Sequence, residues 1–232
     1  MKTTKLILSL VMAMAVTATA SAQFANAGGS SKSSKSGSKG GSILYNDTEN
    51  YQRVYVGVNP LTIKTDAKDA KDVSLTSFGA GYTYGLNLTE KLPLFLEMGA
   101  NFAYGIGSEK TDYAKVNYSA MYVQVPVSVA YKLSFLDGKL GVTPFFGINF
   151  RVNILGQTES KYEYRDDTVK SNWFSKDDMG DDPYGRFQMG WQLGVGLNYK
   201  SIYLGVGGGT DFMEIAKKAT VHSVYIQLGY TF

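Results

Sequence analysis

The chain has 232 residues, 44% of them hydrophobic and 13% aromatic, with no cysteine and a formal net charge of +3. This composition is neither disordered nor uniformly apolar, and the missing cysteines exclude both a disulfide framework and a lipid-modified cysteine. The positive charge lies in the first 42 residues, which hold Lys2, Lys5, Lys32, Lys35 and Lys39 and no acidic side chain; the remainder carries 18 basic against 20 acidic groups, so no nucleic-acid partner is expected.

In chain order, Lys2 and Lys5 precede an apolar stretch over Leu6–Val16 and the small-residue pattern Ala20-Ser21-Ala22. That is the layout of a secretory signal, so residues 1–22 are expected to be a signal peptide cleaved after Ala22. The stretch is well short of the roughly 20 residues that a spanning helix needs. Residues 23–50, with Gly28-Gly29-Ser30-Ser31-Lys32-Ser33-Ser34-Lys35 among them, are too poor in apolar groups to offset the entropy of folding and predict a flexible arm.

From Tyr51 onward, apolar residues alternate rather than recur at helical spacing. Over Arg186–Tyr199, Phe187, Met189, Trp191, Leu193, Val195, Leu197 and Tyr199 share one face, while Gln188, Gly190, Gln192, Gly194, Gly196 and Asn198 share the other. Similar runs predict strands over 51–59, 73–88, 94–105, 118–133, 140–155, 186–199, 202–212 and 220–232. Eight is an even number, as a closed antiparallel barrel with both termini on one side requires. The links alternate in length. Those at 89–93, 134–139 and 200–201 are short, those at 60–72, 106–117 and 156–185 are long, and Met213–Ala219 is intermediate. Hairpin parity agrees, with Leu88 expected opposite Leu94, Leu133 opposite Leu140 and Tyr199 opposite Ile202.

The competing architecture is a soluble barrel with an apolar interior. Glycine argues against it. Gly79, Gly81, Gly85, Gly99, Gly141, Gly147, Gly190, Gly194, Gly196, Gly205 and Gly207 fall on the polar face with Arg53, Glu97, Gln124, Arg151, Gln192 and Asp211, leaving the bulky groups on the other face. Tyr82, Tyr84, Tyr104, Tyr122, Tyr199 and Tyr230 are expected on that outer face, several near strand ends, where aromatic rings settle at a membrane interface. The expected fold class is therefore all-β, an eight-stranded antiparallel transmembrane β-barrel over 51–232 with a polar, side-chain-filled lumen.

On these patterns the chain resembles small outer-membrane β-barrels of the OmpX and OmpA type. It resembles more closely the "porin family" barrels of Bacteroidetes-like bacteria, over about residues 45–232. The most specific segment is Tyr225-Ile226-Gln227-Leu228-Gly229-Tyr230-Thr231-Phe232. It looks like the C-terminal signal read by the barrel assembly machinery, with Tyr230 and Phe232 as its aromatic residues. The resemblance implies a bacterial outer-membrane location, insertion by that machinery and periplasmic N- and C-termini.

An eight-stranded lumen is filled by side chains, and buried charges need partners. Arg53 and Glu97 are expected to meet low in the barrel. Counting from the Lys200-Ser201 turn places Asp211 opposite Gly190 with Gln188 and Gln192 diagonal to it, and Arg151 faces the same interior. These six predict a polar plug. The only histidine, His222, is expected outward near a rim, whereas Ser223 points inward and position 224 is Val224, so no catalytic triad forms and no enzyme is expected. Asp177, Asp178, Asp181 and Asp182 cluster around Gly180, but their spacing does not fit an EF-hand, and a solvated acidic loop is expected rather than a metal site. Gly205-Val206-Gly207-Gly208-Gly209 lacks the lysine and hydroxyl residue of a phosphate loop and lies in a strand. No cofactor is expected. The fifth link also carries Tyr162, Tyr164, Trp173, Phe174 and Tyr184, more aromatic surface than solvation alone needs, which makes it a candidate contact loop. The expected partners are outer-membrane lipid, the assembly machinery during biogenesis, and an envelope or surface protein. The functional readings are a non-enzymatic structural or surface-contact role, a subunit of an export or assembly complex, or a narrow solute channel.

Overall fold

The computed structural model describes residues 47–65, 72–110, 114–162, 168–180 and 183–232. The expected signal peptide, most of the expected arm, Tyr164, Asp181 and Asp182 lie outside the described residues. The elements are β1 (Tyr51–Thr65), β2 (Val73–Asn87), β3 (Leu94–Lys110), β4 (Ala114–Tyr131), β5 (Leu133–Phe135), β6 (Leu140–Tyr162), β7 (Thr168–Asn172), α1 (Lys176–Met179), β8 (Phe187–Tyr199), β9 (Ile202–Asp211) and β10 (Ala219–Thr231).

Every pairing is antiparallel, and the ladder runs β4-β3-β2-β1-β10-β9-β8-β6, with β6 pairing back onto β4. Eight strands thus close into a ring, while β5 pairs with the start of β6 and β7 pairs with its far end. Backbone bonds from Gln52 N–H to Phe232 O (3.3 Å) and from Phe232 N–H to Gln52 O (2.9 Å) bring the first and last strands together at the end with short turns. The two-residue turn between β8 and β9 closes with Lys200 at φ 54°, in the left-handed region.

Alternation explains both faces. Outward-pointing Phe78, Phe146, Leu193, Val224 and Ile226 are each at least half exposed, and they belong to an apolar belt around the whole ring. A soluble protein does not leave so much contiguous apolar surface in water. The 13 residues of β8, at about 3.3 Å each and tilted by about 35–45°, rise about 30 Å, the thickness of a hydrocarbon core.

Three sequence expectations are corrected. Leu133 pairs with Val142 rather than Leu140, a slip of two residues that keeps the parity of the faces. Tyr122 points inward and is 1% exposed, because it shares the parity of Gln124 and Ser128. The bulky aromatic residues are also not confined to the outer face, since Tyr51, Tyr55, Phe95, Phe145 and Tyr203 are buried inside. Glycine makes room for them. A Cβ at Gly196 would lie 2.7 Å from Tyr203 Cε2, and one at Gly194 would lie 2.5 Å from Phe145 Cζ.

Strands on the long-link end run past their expected bounds, β1 to Thr65, β3 to Lys110 and β6 to Tyr162. Pro60 marks one such limit in the sequence, yet β1 continues through it. Pairing with β2 is unbroken there, and pairing with β10 skips Asn59 and Pro60 and resumes at Leu61. In β6 a bulge opposite Met121 and Tyr122 leaves Ile154 and Leu155 both outward, so the inward parity changes from Asn153 to Gly156.

The glycine–aromatic fit predicts that Gly196→Ala destabilises the folded barrel by about 1–3 kcal/mol through overpacking against Tyr203. The measurement is the urea midpoint in detergent. Leu204→Ile on the outer face should leave that midpoint nearly unchanged.

Candidate functional site

The lumen is sealed in layers, each built from inward positions of neighbouring strands. Near the terminal end, Arg53 on β1 and Glu97 on β3 form an ion pair of 3.3 Å, with side chains 4% and 9% exposed. The Tyr51 hydroxyl donates to the same carboxylate, and the Arg53 guanidinium lies 3.6 Å from the centre of the Tyr203 ring. Carboxylate and π-face together compensate a cation removed from water. Above this layer Gln192 Nε2 donates to Ser128 Oγ at 2.8 Å, beside a cavity of about 50 Å³, room for a few waters but not for a passage.

The second ionic layer lies nearer the long-link end. Arg151 on β6 pairs with Asp211 on β9 at 3.0 Å, with side chains 2% and 1% exposed. Arg151 Nη1 also donates to Gln188 Oε1 at 3.4 Å, and Asn153 Nδ2 donates to the same oxygen at 3.2 Å. Gly190 stands opposite Asp211, and a Cβ there would meet its Oδ1 at 2.6 Å, so the missing side chain creates the space the carboxylate occupies.

An apolar layer closes the mouth. Leu61, Ile63, Leu75, Tyr122, Trp173, Ile215 and Val221 form one buried cluster, against which Phe174 and Tyr184 pack. Trp173 arrives from the fifth link and is held at three points. Its indole N–H donates to Thr158 Oγ1 at 2.7 Å, its backbone N–H donates to Gly156 O at 2.9 Å, and Tyr184 N–H donates to Trp173 O at 2.8 Å. The bulge makes this possible by turning Gly156 and Thr158 inward, and Gly156 carries no Cβ to collide with the indole. Arg186 Nη1 donates to Ile154 O at 3.2 Å within the bulge, with its guanidinium 4.4 Å from the Phe174 ring centre. Burial beside Trp173 pushes the Tyr184 hydroxyl above its ordinary range.

The structure therefore brings Arg53 to Glu97, and Arg151 to Asp211 and Gln188, while Gln192 joins Ser128 between the two layers. The Arg151–Asp211 pairing was missed in the sequence. The count from the Lys200-Ser201 turn sets Asp211 only against its β8 neighbours, whereas the pair reaches one strand further, from β9 across β8 to β6. Trp173, an expected contact residue, is 5% exposed and belongs to the mouth core; Phe174 packs against it, and Tyr162 is 46% exposed. Asp177 and Asp178 lie on the single turn α1, where Asp178 accepts the Asn172 N–H at 2.8 Å. Among the described residues no group of three or more metal-ligating side chains occurs. His222 Nδ1 lies 3.0 Å from Thr210 Oγ1, its cross-strand neighbour, and Ser223 is buried on the other face. Tyr230 and Phe232 lie edge to face with centroids 5.1 Å apart on the last strand.

A family model described as "Outer membrane protein beta-barrel domain" matches residues 50–212. No curated protein matches the chain. Among solved structures, Ail, the attachment invasion locus protein of Yersinia pestis, is similar at 12% identity and a TM-score of 0.47, covering 79% of this chain and 99% of its own. Neisserial surface protein A is similar at 12% identity and a TM-score of 0.44, covering 78% and 95%.

Removing one member of the upper ion pair should strand a buried charge. Asp211→Ala is expected to lower stability in detergent by roughly 3–5 kcal/mol, whereas Asp211→Leu combined with Arg151→Met restores most of the loss. Equilibrium unfolding of the single and double variants checks this. Trp173→Ala should loosen the mouth rather than the ring, so limited proteolysis should become faster within 173–180 and 183–186 while the eight strands of the ring stay protected.

Proposed function

The chain belongs to the outer membrane protein β-barrel domain family and is an integral protein of the bacterial outer membrane, and from that premise we propose that it is a non-enzymatic anchor whose long-link end contacts molecules outside the cell. The observation that carries this reading is the sealed lumen. Among the described residues two ionic layers and an apolar mouth fill the lumen around a cavity of about 50 Å³, which speaks against transport through the barrel. A catalytic reading is not favoured either, since His222 pairs with the Thr210 hydroxyl while the neighbouring carboxylate, Asp211, is paired with Arg151 on the inner face.

What remains accessible is the long-link end. There the strands rise past the belt, and the β6–β7 hairpin presents Tyr162, Val169 and Lys170 on a base fixed by Trp173. Loops set on a rigid scaffold are the usual carriers of recognition. In this reading both termini are periplasmic, which suits short turns on that side and long links outside. The last strand, ending in Tyr230 and Phe232, is then the segment read by the assembly machinery.

Affinity capture from native membranes tests the proposal. The intact chain should retain a surface partner that is lost from a Tyr162→Ser, Val169→Ser, Lys170→Gln variant, in which Trp173 and the mouth core are kept. Capture that depends instead on residues 23–50 would overturn the reading in favour of a subunit of an export or assembly complex. A steady conductance in a planar bilayer would overturn it in favour of a channel.

A further inference from the structure

The outward face changes character above the belt on β3, β4 and β6. The last apolar outward residues are Ile106, Met121 and Leu155; beyond them come Ser108 and Lys110 on β3, Ser119, Asn117 and Lys115 on β4, and Gln157, Glu159 and Lys161 on β6. Register places the three lysines side by side, Lys110 opposite Lys115 and Lys115 opposite Lys161. Like charges directly opposite on neighbouring strands repel. Glu159 lies 3.4 Å from Lys161 and 3.6 Å from Lys170. No described carboxylate is within 4.0 Å of Lys110 or Lys115, and Asp72, at the start of the β2 side, accepts the Thr65 N–H.

Immediately beneath this row is a recess of about 590 Å³. Ser108, Asn117, Ser119 and Gln157 line it over a floor that includes Phe78 and Ile106, and Glu159, whose charge is met by Lys161 and Lys170, stands at its edge. None of those four polar side chains hydrogen-bonds to a described residue. Hydroxyl and amide groups above an aromatic and aliphatic floor suit a sugar ring, whose edge is polar and whose face is apolar.

We propose that the lysine row Lys110, Lys115 and Lys161, together with the recess below it, is a binding site for the anionic oligosaccharide of the outer-leaflet glycolipid that surrounds the barrel. Height selects this occupant. Lys110 stands four residues beyond Ile106, and Lys115 and Lys161 each stand six beyond Met121 and Leu155. At about 2.5 Å of rise per tilted residue the row lies about 10–15 Å above the hydrocarbon edge. The headgroup layer of a phospholipid is only about 5–8 Å deep, so its phosphate would reach the serine and glutamine rung but not the lysines. A saccharide carrying phosphate or carboxylate groups spans both levels, and its negative charge relieves the repulsion within the row. The site lies on the outward wall and meets the base of the β6–β7 hairpin at Lys161, which Glu159 links to Lys170; it rests on the proposed orientation of the barrel, with the long-link end outside.

The test uses the full-length protein in nanodiscs and the oligosaccharide released from rough lipopolysaccharide by deacylation. The wild type should bind this soluble probe, and Lys110→Gln, Lys115→Gln, Lys161→Gln should weaken binding at least about tenfold. The corresponding triple arginine variant should retain it, and a Ser119→Trp variant that fills the recess should lose it. Each variant should keep the heat-modifiable gel mobility of a folded barrel. Equal binding by the wild type and the triple glutamine variant would overturn the proposal. So would binding only of inorganic phosphate, or lysine-dependent binding only of phosphatidylglycerol nanodiscs. A Val169→Cys variant exposed to an impermeant maleimide on intact cells reports orientation separately: labelling with no saccharide binding sinks the site alone, whereas absence of labelling sinks the orientation.

Discussion

The structure depends on closing a ring so narrow that its interior must be filled by its own side chains. An eight-stranded ring has no sheet edges to protect, but its lumen is too small for unplanned bulk and too dry for unpaired charge. Both limits are met by pairing something large with something absent. Tyr203 lies over Gly196 and Gly205, Phe145 over Gly194, and the Asp211 carboxylate occupies the space left by Gly190. Glycine is therefore placed where a neighbouring side chain, on the next strand or two residues away on its own, needs room, and it is not simply a filler of the lumen.

The same constraint accounts for the layered chemistry of the interior. Arg53 with Glu97 and Arg151 with Asp211 fix two heights, and each cation gains a second partner in a tyrosine ring. Between them Gln192 and Ser128 keep the interior polar, and above them the mouth is apolar, where Trp173 and Ile215 enter from links rather than strands. The barrel is thus inverted within the belt and ordinary beyond it. At the long-link end Leu61, Ile63 and Leu75 are inside while Thr62, Lys64 and Ser74 are outside, as in a soluble sheet.

That reversal explains what the sequence reveals and what it hides. Strand number, hairpin parity and the Gly190–Asp211 register are legible because a two-residue period and the Lys200-Ser201 turn determine them locally. Arg53 and Glu97 are legible as partners because both lie low on the same face. The strand extensions are not, since above the belt the greasy and polar faces trade places and a search for one outward apolar stripe ends there. Tyr122 is misplaced for a related reason, as an aromatic side chain can serve either side of the wall and only parity with Gln124 decides. The role of Trp173 needs the bulge at Ile154 and Leu155, which turns Gly156 and Thr158 inward and leaves no local sign in composition.

The two tryptophans offer the most direct test of which face meets lipid, since Trp191 lies on the outward face of β8 and Trp173 lies inside the mouth. Fluorescence of single-tryptophan variants in bilayers of brominated phospholipid separates them. With Trp173→Phe, the remaining Trp191 should be strongly quenched; with Trp191→Phe, the remaining Trp173 should be almost unaffected. Quenching of Trp173 with Trp191 protected would mean that the apolar face is turned inward and would contradict the account.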